Sequence, residues 1–542
     1  MYKSHIGRAV YLPAERIDAM VACGAWQNRL IIDYFDEWVA KTPDKAAIIS
    51  YSVETKERQE VSYAELQALS FQIAAMLQAR GVGLGDIVSF QLVNRIEFTA
   101  ITLAAVRLGA AVNPLMPVLR THELTHILQT TESRVLIVAR SFRGFSFEDM
   151  ARDLGRKIDT LEHVIILEDE PAFRRPATGK ASDLVNAERP DPNELFEVMF
   201  TSGTTGKPKG VMHTANTLFA NTIQTTDRFR VTADDVIFCP TPMAHQLGFL
   251  FGVLSPVFCG ATAVLLDAWV PDLAVDIVEN EKASICMGAT PFLMDMANYP
   301  GIRERNIENF RLFISGGAPI PSALVTRAID NLNAAIISVW GMTEVVAVTT
   351  VKFDDPAEKA SGSDGCPTPH TEIRIIDGAD NLMPVGKKGI LETRGATICV
   401  GYLKQPDAFV LRDGWFDTGD LARRDGDGYI RITGRKKDII IRGGENISVA
   451  EIQGLLFKHP AVASVAIVAM PDERLGERAC AYVCLKPGSS TLSLPEVTAF
   501  LAEQGVAKVN FPERLEIIEQ MPMTATGKIQ KFELRERAKT LA

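Results

Sequence analysis

At 542 residues the chain has room for about three or four domains of ordinary size, and its 57 Lys+Arg against 67 Asp+Glu give a formal net charge of −10. Apolar residues make up 47% and charged residues 23%, enough apolar surface to exclude a disordered chain. The acidic balance argues against general nucleic-acid binding, which needs a basic face to neutralise phosphates, but it allows a local basic pocket for a small anion.

Residues 1–20 carry charges throughout and no apolar core, so they do not read as a secretory signal. From there to about residue 430, helical and strand patterns alternate. Residues 63–81 repeat apolar positions at helical spacing and end on Gly81. A strand follows at 86–93, then a helix at 97–110 closed by Gly109. The short apolar runs at 134–139, 163–169, 195–200, 263–267 and 311–315 are those of strands buried on both faces, which predicts an α/β architecture with helices covering sheets. The uncharged run 247–266 is long enough to consider as a membrane span. Gly248, Gly252, Pro256 and Gly260 interrupt it, so it reads as a buried helix, a turn and a strand.

From about Thr350 the texture changes to short strands at 372–377, 389–395 and 427–434, separated by Gly, Pro and Asp. A second boundary falls at GRKKD, 434–438. The predicted organisation is a large N-terminal domain, 1–434, of layered α/β subdomains with a β-rich subdomain at about 350–434. A small α+β domain, 435–542, follows, with helices at 449–460 and 494–505, strands at 462–470 and 478–485, and a final basic helix. The eight cysteines (23, 239, 259, 286, 366, 399, 480, 484) include no Cys-x-x-Cys pair and read as buried, reduced thiols of a cytoplasmic protein.

Two patterns are set aside. HELTH, 122–126, has the spacing of a zinc-protease helix, but Leu124, Ile127 and Leu128 define an apolar stripe that leaves both histidines on the opposite, solvated face. GVGLGD, 81–86, follows a helix and precedes a strand, the reverse of a dinucleotide fingerprint, and reads as a connector.

The sharpest signal is TSGTTGKPKG, 201–210. Directly after the apolar run LFEVMF it gathers glycines that let backbone amides turn towards an anion, hydroxyls that donate further hydrogen bonds, and lysines that supply charge. That chemistry suits a polyphosphate. It is no Walker A loop, because Pro208 follows Lys207 and GVMHT continues as a strand. WGMTE, 340–344, offers a flat indole beside a glycine and a carboxylate; a tryptophan on a core strand has the same signature. SGGAPI, 315–320, puts two glycines after a strand, as a plain turn would also do. Asp420 in GWFDTGD, 414–420, has two oxygens for a pair of hydroxyls, and is equally a turn-forming aspartate. RKKD alone reads as a solvated face, and Lys528 in TATGKIQK, 524–531, as a surface lysine.

Seven segments in order, TSGTTGKPKG, PMAH (242–245), SGGAPI, WGMTE, GWFDTGD, ITGRKKDIIIRGGENIS (432–448) and TATGKIQK, resemble the signatures of the adenylate-forming superfamily of acyl-CoA synthetases, peptide-synthetase adenylation domains and luciferases. The resemblance implies ATP, Mg²⁺ and CoA as co-substrates or cofactors. It places Thr201, Ser202, Gly203, Thr204, Thr205, Gly206 and Lys209 around the ATP phosphates, and Gly316, Gly317 and Ala318 beside adenine and the acyl group. Trp340, where the family usually has Tyr, and Gly341 lie at the base, Thr343 near the α-phosphate, Glu344 on Mg²⁺, and Asp420 and Arg435 on the ribose. Lys528 is the lysine over carboxylate and α-phosphate, His245 the gate of the acyl pocket, and Lys437 the hinge of a mobile C-terminal domain. Gly443, Gly444 and Glu445 mark the CoA channel.

RKKDIIIRGGENIS, PDERLGERACAYV, MGATPF (287–292) and TGKIQKF are most similar to bacterial short- and medium-chain acyl-CoA synthetases and alicyclic-acid ligases. The expected acid is therefore small and mainly apolar, with Phe249, Met287 and Phe292 as pocket walls that ordinary core packing would explain equally well. A stand-alone adenylation enzyme loading an acyl-carrier protein, an aryl-acid CoA ligase, luciferase-type oxygen chemistry and a silent nucleotide-binding relative remain alternatives. The resemblance leaves homodimerisation open and implies neither nucleic acid nor an integral membrane segment as partner.

Overall fold

A computed structural model describes residues 12–174, 189–201, 208–317, 320–438, 440–442, 445–447, 449–489, 491–523 and 529–541. The chain divides into two compact units, residues 1–372 with 394–414, and residues 373–393 with 415–542.

Two sheets organise the first unit. In the six-stranded sheet, Lys209–Thr214 lies at one edge, followed by Leu195–Thr201, Ala111–Pro114, Ile87–Gln91, Val135–Val138 and His163–Ile166. The nine-stranded sheet has parallel neighbours at its centre, Ile285–Gly288, Leu312–Gly316 and Ala335–Met342, and Val346–Thr350 turns back antiparallel to the last of these. Successive side chains of a strand face opposite ways. Val88, Phe90, Ile137, Ile237, Leu265 and Ile314 therefore enter one core shared by both sheets and the helices between them. Their neighbours Phe238, Val264 and Phe313 enter a second core, and Leu136 and Val138 a third. This two-sided burial is why the strands read as unbroken apolar runs.

The helices between the sheets follow local rules. Ser62 caps Tyr63–Gln78 by accepting from the Glu65 amide at 3.2 Å while the Glu65 carboxylate accepts from the Ser62 amide at 2.8 Å. Gly81, at φ +79°, turns the chain out of that helix into GVGLGD, which connects helix to strand as expected. In Ile96–Arg107 every residue but Glu97 and Arg107 is buried, the pattern of a helix enclosed on all sides. The uncharged run forms Gln246–Phe249, a π-helical turn Leu250–Leu254 and Ser255–Cys259, ends on Gly260 at φ +72°, and continues as the strand Thr262–Leu266. Among the described residues no helix is long and apolar enough to cross a membrane.

In the second unit, residues 389–393 pair antiparallel with Trp415–Arg424, and that strand pairs with Ile430–Arg435. The remainder builds on the long hairpin Val462–Asp472 and Gly476–Leu485. One of its faces, with Val465, Ile467, Ala481 and Val483, packs under the helices Val449–Leu456 and Leu494–Glu503. The other, with Val468, Met470, Cys480 and Tyr482, meets Leu534 and Ala538 of the helix Lys531–Lys539.

Two expectations are corrected. All eight cysteines are free, but Cys23 is exposed while the other seven are buried, because Cys23 caps the end of a short helix whose residues are not buried. In the helix Thr121–Thr131, Leu124, Ile127 and Leu128 are buried as expected and His122 is exposed, yet His126 is half-buried. Its Nε2 lies 3.3 Å from the Pro208 carbonyl oxygen, because this face of the helix lies beside Pro208. Among the described residues no group of three or more His, Cys, Asp or Glu is placed to hold a metal ion.

Candidate active site

The expected residues group around two places, one in each unit. In the first unit, Thr201 and Lys209 are paired neighbours on antiparallel strands. Ser202, Gly203, Thr204, Thr205 and Gly206 themselves lie outside the described residues, as do Ala318, Gly443, Gly444 and Lys528. Lys437 sits in a 3₁₀ turn and Glu445 begins a short strand.

The outgoing strand Lys209–Thr214 is braced to the turn that carries Thr343 and Glu344. His213 Nε2 lies 2.7 Å from the Thr343 carbonyl oxygen, and its Nδ1 is 3.0 Å from Thr217 Oγ1. A carbonyl only accepts, so Nε2 carries the proton. Burial holds this imidazole down to about 4, against the opposing pull of the Thr343 bond, so the ring is neutral near pH 7. Residues 399–403 form a second brace. Val400 N donates to Met212 O at 2.9 Å, Met212 N to Gly401 O at 3.0 Å and Leu403 N to Gly210 O at 2.7 Å. From this segment Cys399 N donates to the Glu344 carbonyl at 2.8 Å, and the Tyr402 hydroxyl to Glu344 Oε1 at 2.9 Å. Lys209 Nζ stands 4.5 Å from the centroid of the Tyr402 ring.

The turn between Ala335–Met342 and Val346–Thr350 is tight. A Cβ on Gly341 would lie 1.8 Å from the Val346 carbonyl oxygen, and Val346 itself has φ +55°, a strained conformation for a β-branched residue. Glu344 is buried, whereas Trp340, Gly341 and Thr343 are half-buried on the same stretch. Gly316 ends its strand beside Leu247 and Val339, and Gly317 follows, exposed, at φ +93°.

His245 caps the helix that follows it, its Nδ1 accepting from Leu247 N at 3.3 Å. Phe249, one turn on, is fully buried against the rings of Phe98 and Phe196, Met287 is buried on its strand, and Phe292 stacks on Trp269 at 4.3 Å. Beside His245, Gln246 Nε2 donates to Glu197 Oε2 at 3.1 Å, while Glu197 Oε1 and Gln246 Oε1 are buried without a hydrogen-bond partner. Burial pushes the Glu197 carboxyl up to about 8, the Gln246 bond opposing, so it is largely protonated at neutral pH.

In the second unit, Asp420 and Arg435 are cross-strand partners, with Arg435 Nε 2.9 Å from Asp420 Oδ1. Asp420 is buried and its amide donates to Thr418 Oγ1 at 3.1 Å, while Arg435 is exposed. On either side of Lys437, Lys436 Nζ pairs with Asp417 Oδ2 at 2.8 Å and Asp438 pairs with Arg535 and, at 3.5 Å, with Lys531.

Residue patterns missed Tyr402, His213, Glu197 and Gln246. Tyr402 and His213 lie outside the seven signature segments, and their partners lie 58 and 130 residues away in sequence.

Residues 35–403 match the family described as AMP-binding enzyme, and residues 451–528 its C-terminal domain. The chain belongs to the AMP-binding enzyme family. The medium-chain fatty-acid–CoA ligase of Escherichia coli (strain K12) is 37% identical to it over 94% of this chain and 91% of that protein. The 2,3-dihydroxybenzoate-AMP ligase of Bacillus subtilis (strain 168) is 30% identical over 97% of this chain and 96% of that protein. The crystal structure of ATP-bound MatB from Rhodopseudomonas palustris superposes with a TM-score of 0.82 at 28% identity, over 94% of this chain and 99% of MatB. This AMP-binding enzyme is accordingly an adenylate-forming member of the AMP-forming acyl-CoA ligase family, with a large N-terminal domain and a separate C-terminal domain.

Proposed function

We propose that the enzyme joins a small, mainly apolar carboxylic acid to CoA, forming an acyl-adenylate from ATP and then the thioester with release of AMP. The observation that carries this reading is the bracing of the outgoing strand Lys209–Thr214 against Thr343 and Glu344, which unites phosphate-binding chemistry and a carboxylate in one structure. The acid is proposed as a short- or medium-chain fatty or alicyclic carboxylate, and the similarity to the medium-chain fatty-acid–CoA ligase favours a medium-chain fatty acid among these.

A carboxylate is a poor electrophile because its charge repels nucleophiles and oxide leaves badly; a mixed anhydride with AMP removes both obstacles. In the first half-reaction residues 201–206 with Lys209 hold the β- and γ-phosphates. Trp340 and Gly341 hold the base against Gly316, Gly317 and Ala318, Thr343 meets the α-phosphate, and Asp420 and Arg435 take the ribose. A carboxylate oxygen is a hard donor, and Mg²⁺ is commonly held by one or two carboxylates completed by phosphates and water, so Glu344 fits as its protein ligand. When bound, Mg²⁺ neutralises phosphate charge. Lys528 offsets the negative charge of the attacking acid and the α-phosphate, with no protein nucleophile required. His245 gates the acyl pocket, walled by Phe249, Met287 and Phe292.

For the second half-reaction, the C-terminal domain, 435–542, pivots at Lys437. Gly443, Gly444 and Glu445 then replace Lys528 and admit the pantetheine arm, whose thiol attacks the acyl carbon as AMP leaves. The test is acid-dependent pyrophosphate exchange, followed by AMP release with CoA across straight-chain, alicyclic and aromatic acids. Exchange with a medium-chain acid and thioester formation on free CoA support the reading; no pyrophosphate with any acid overturns it. Thioester formed only on a carrier protein would replace CoA as acceptor.

A further inference from the structure

We propose that Tyr402 is a positioning residue for the nucleotide step, its hydroxyl fixing the Glu344 carboxylate at one oxygen so that the other faces the cation. This rests on the functional reading above. Tyr402 sits where three supports meet. Its hydroxyl donates to Glu344 Oε1 at 2.9 Å, its ring lies under Lys209 Nζ at 4.5 Å, and its backbone forms an antiparallel bridge with Val211 on the outgoing strand. The peptide segment that carries it also grips Glu344 through the Cys399 amide. Backbone and side chain of Glu344 are thus both held by one stretch, 399–403, which is itself bonded to the strand leaving the phosphate segment.

The chemistry explains why a phenol serves here. Glutamate has three side-chain torsions, and a hydrogen bond from a fixed donor to one carboxylate oxygen orients the second. A lysine or arginine in the same place would neutralise the carboxylate and compete with a cation for it. A phenol donates its hydrogen bond and leaves the negative charge in place. Mg²⁺ is commonly held by one or two protein carboxylates completed by phosphates and water, so the orientation of this carboxylate bears directly on how the protein holds the metal. Lys209 on the face of the ring couples the same side chain to the phosphate segment.

Tyr402→Phe keeps the ring and removes the hydroxyl. Binding of a non-hydrolysable ATP analogue is measured with Mn²⁺, followed by the electron paramagnetic resonance spectrum of the bound ion, and again with chelator present. The expected result is Mn²⁺–analogue binding about tenfold weaker or worse, with metal-free binding within about twofold of wild type. Thioester formation from supplied acyl-adenylate, which needs no metal–ATP complex, is expected within about twofold of wild type, showing that the fold is intact. In a Glu344→Gln background the same substitution is expected to add no further loss of Mn²⁺–analogue binding. Unchanged metal-dependent affinity, equal losses with and without metal, or additive losses in the double variant would each overturn the proposal. Wild-type protein without acid-dependent pyrophosphate exchange would strike the functional reading instead, leaving the metal-dependent comparison to judge Tyr402.

Discussion

Glu197 and His213 are cross-strand partners on adjacent antiparallel strands, both fully buried, and burial drives them in opposite directions. The carboxyl is raised to about 8 and the imidazole lowered to about 4, so between those limits both are mainly neutral and each uses a different partner, Gln246 for one and Thr343 for the other. Folded protein holds the Glu197 proton where the unfolded chain, with a value of 4.5, has released it. The stability this contributes is full below that lower value and is lost as pH rises towards about 8. For His213 the unfolded chain binds the proton first, so its contribution is full above 6.5 and is lost as pH falls towards about 4. Glu197→Gln is therefore expected to flatten the alkaline side of the stability profile, reducing the loss between about pH 5 and pH 8 by on the order of 2–4 kcal/mol. Melting temperatures across that range check it; parallel profiles for variant and wild type would refute it. Neither residue's role was legible in its local sequence, since alternation along LFEVMFT and GVMHT says that a position faces inward but not which polar group waits there.

At the scale of elements, the hairpin from Ala335–Met342 to Val346–Thr350 decides where Thr343 and Glu344 stand. Its register shifts between Trp340 and Gly341, and the backbone of Val346 closes against the bare Cα of Gly341. Gly341→Ala must push the turn open, because the obstructing atom is a backbone carbonyl. The expected cost is about 1–3 kcal/mol of stability, read as a lower melting temperature, with a fall of about tenfold or more in pyrophosphate exchange. A variant with wild-type exchange would show that the turn does not set the geometry of the site. Elements themselves were readable where their surroundings are uniform. LFEVMF, GILETRG and the run at 494–505 appear as the strands and helix that their periods indicate. The π-helical turn Leu250–Leu254 was not, because an apolar residue at every position leaves no period from which a change of helical repeat can be read.

For the whole molecule, the functional reading assigns different steps to different poses of the C-terminal domain, and Lys528 separates them. Lys528→Ala is expected to lose acid-dependent pyrophosphate exchange by about a hundredfold or more while retaining much of its thioester formation from supplied acyl-adenylate. Equal loss of both steps would remove the alternation about Lys437. The ion pairs on either side of that residue, Lys436 with Asp417 and Asp438 with Arg535 and Lys531, are local features of the second unit that its linear pattern RKKD presented only as a charged face. Family, fold class and the order of the motif segments were written in the linear chain, because phosphate-binding turns and buried strands depend on residues close together in sequence. The partners of Glu344, the neutral state of Glu197 and the bracing of the outgoing strand belong to the folded molecule alone. Hydrogen bonds and desolvation act over a few ångströms of space, and the contacts that place Tyr402 on Glu344 and His213 on Thr343 exist only after distant segments have packed together.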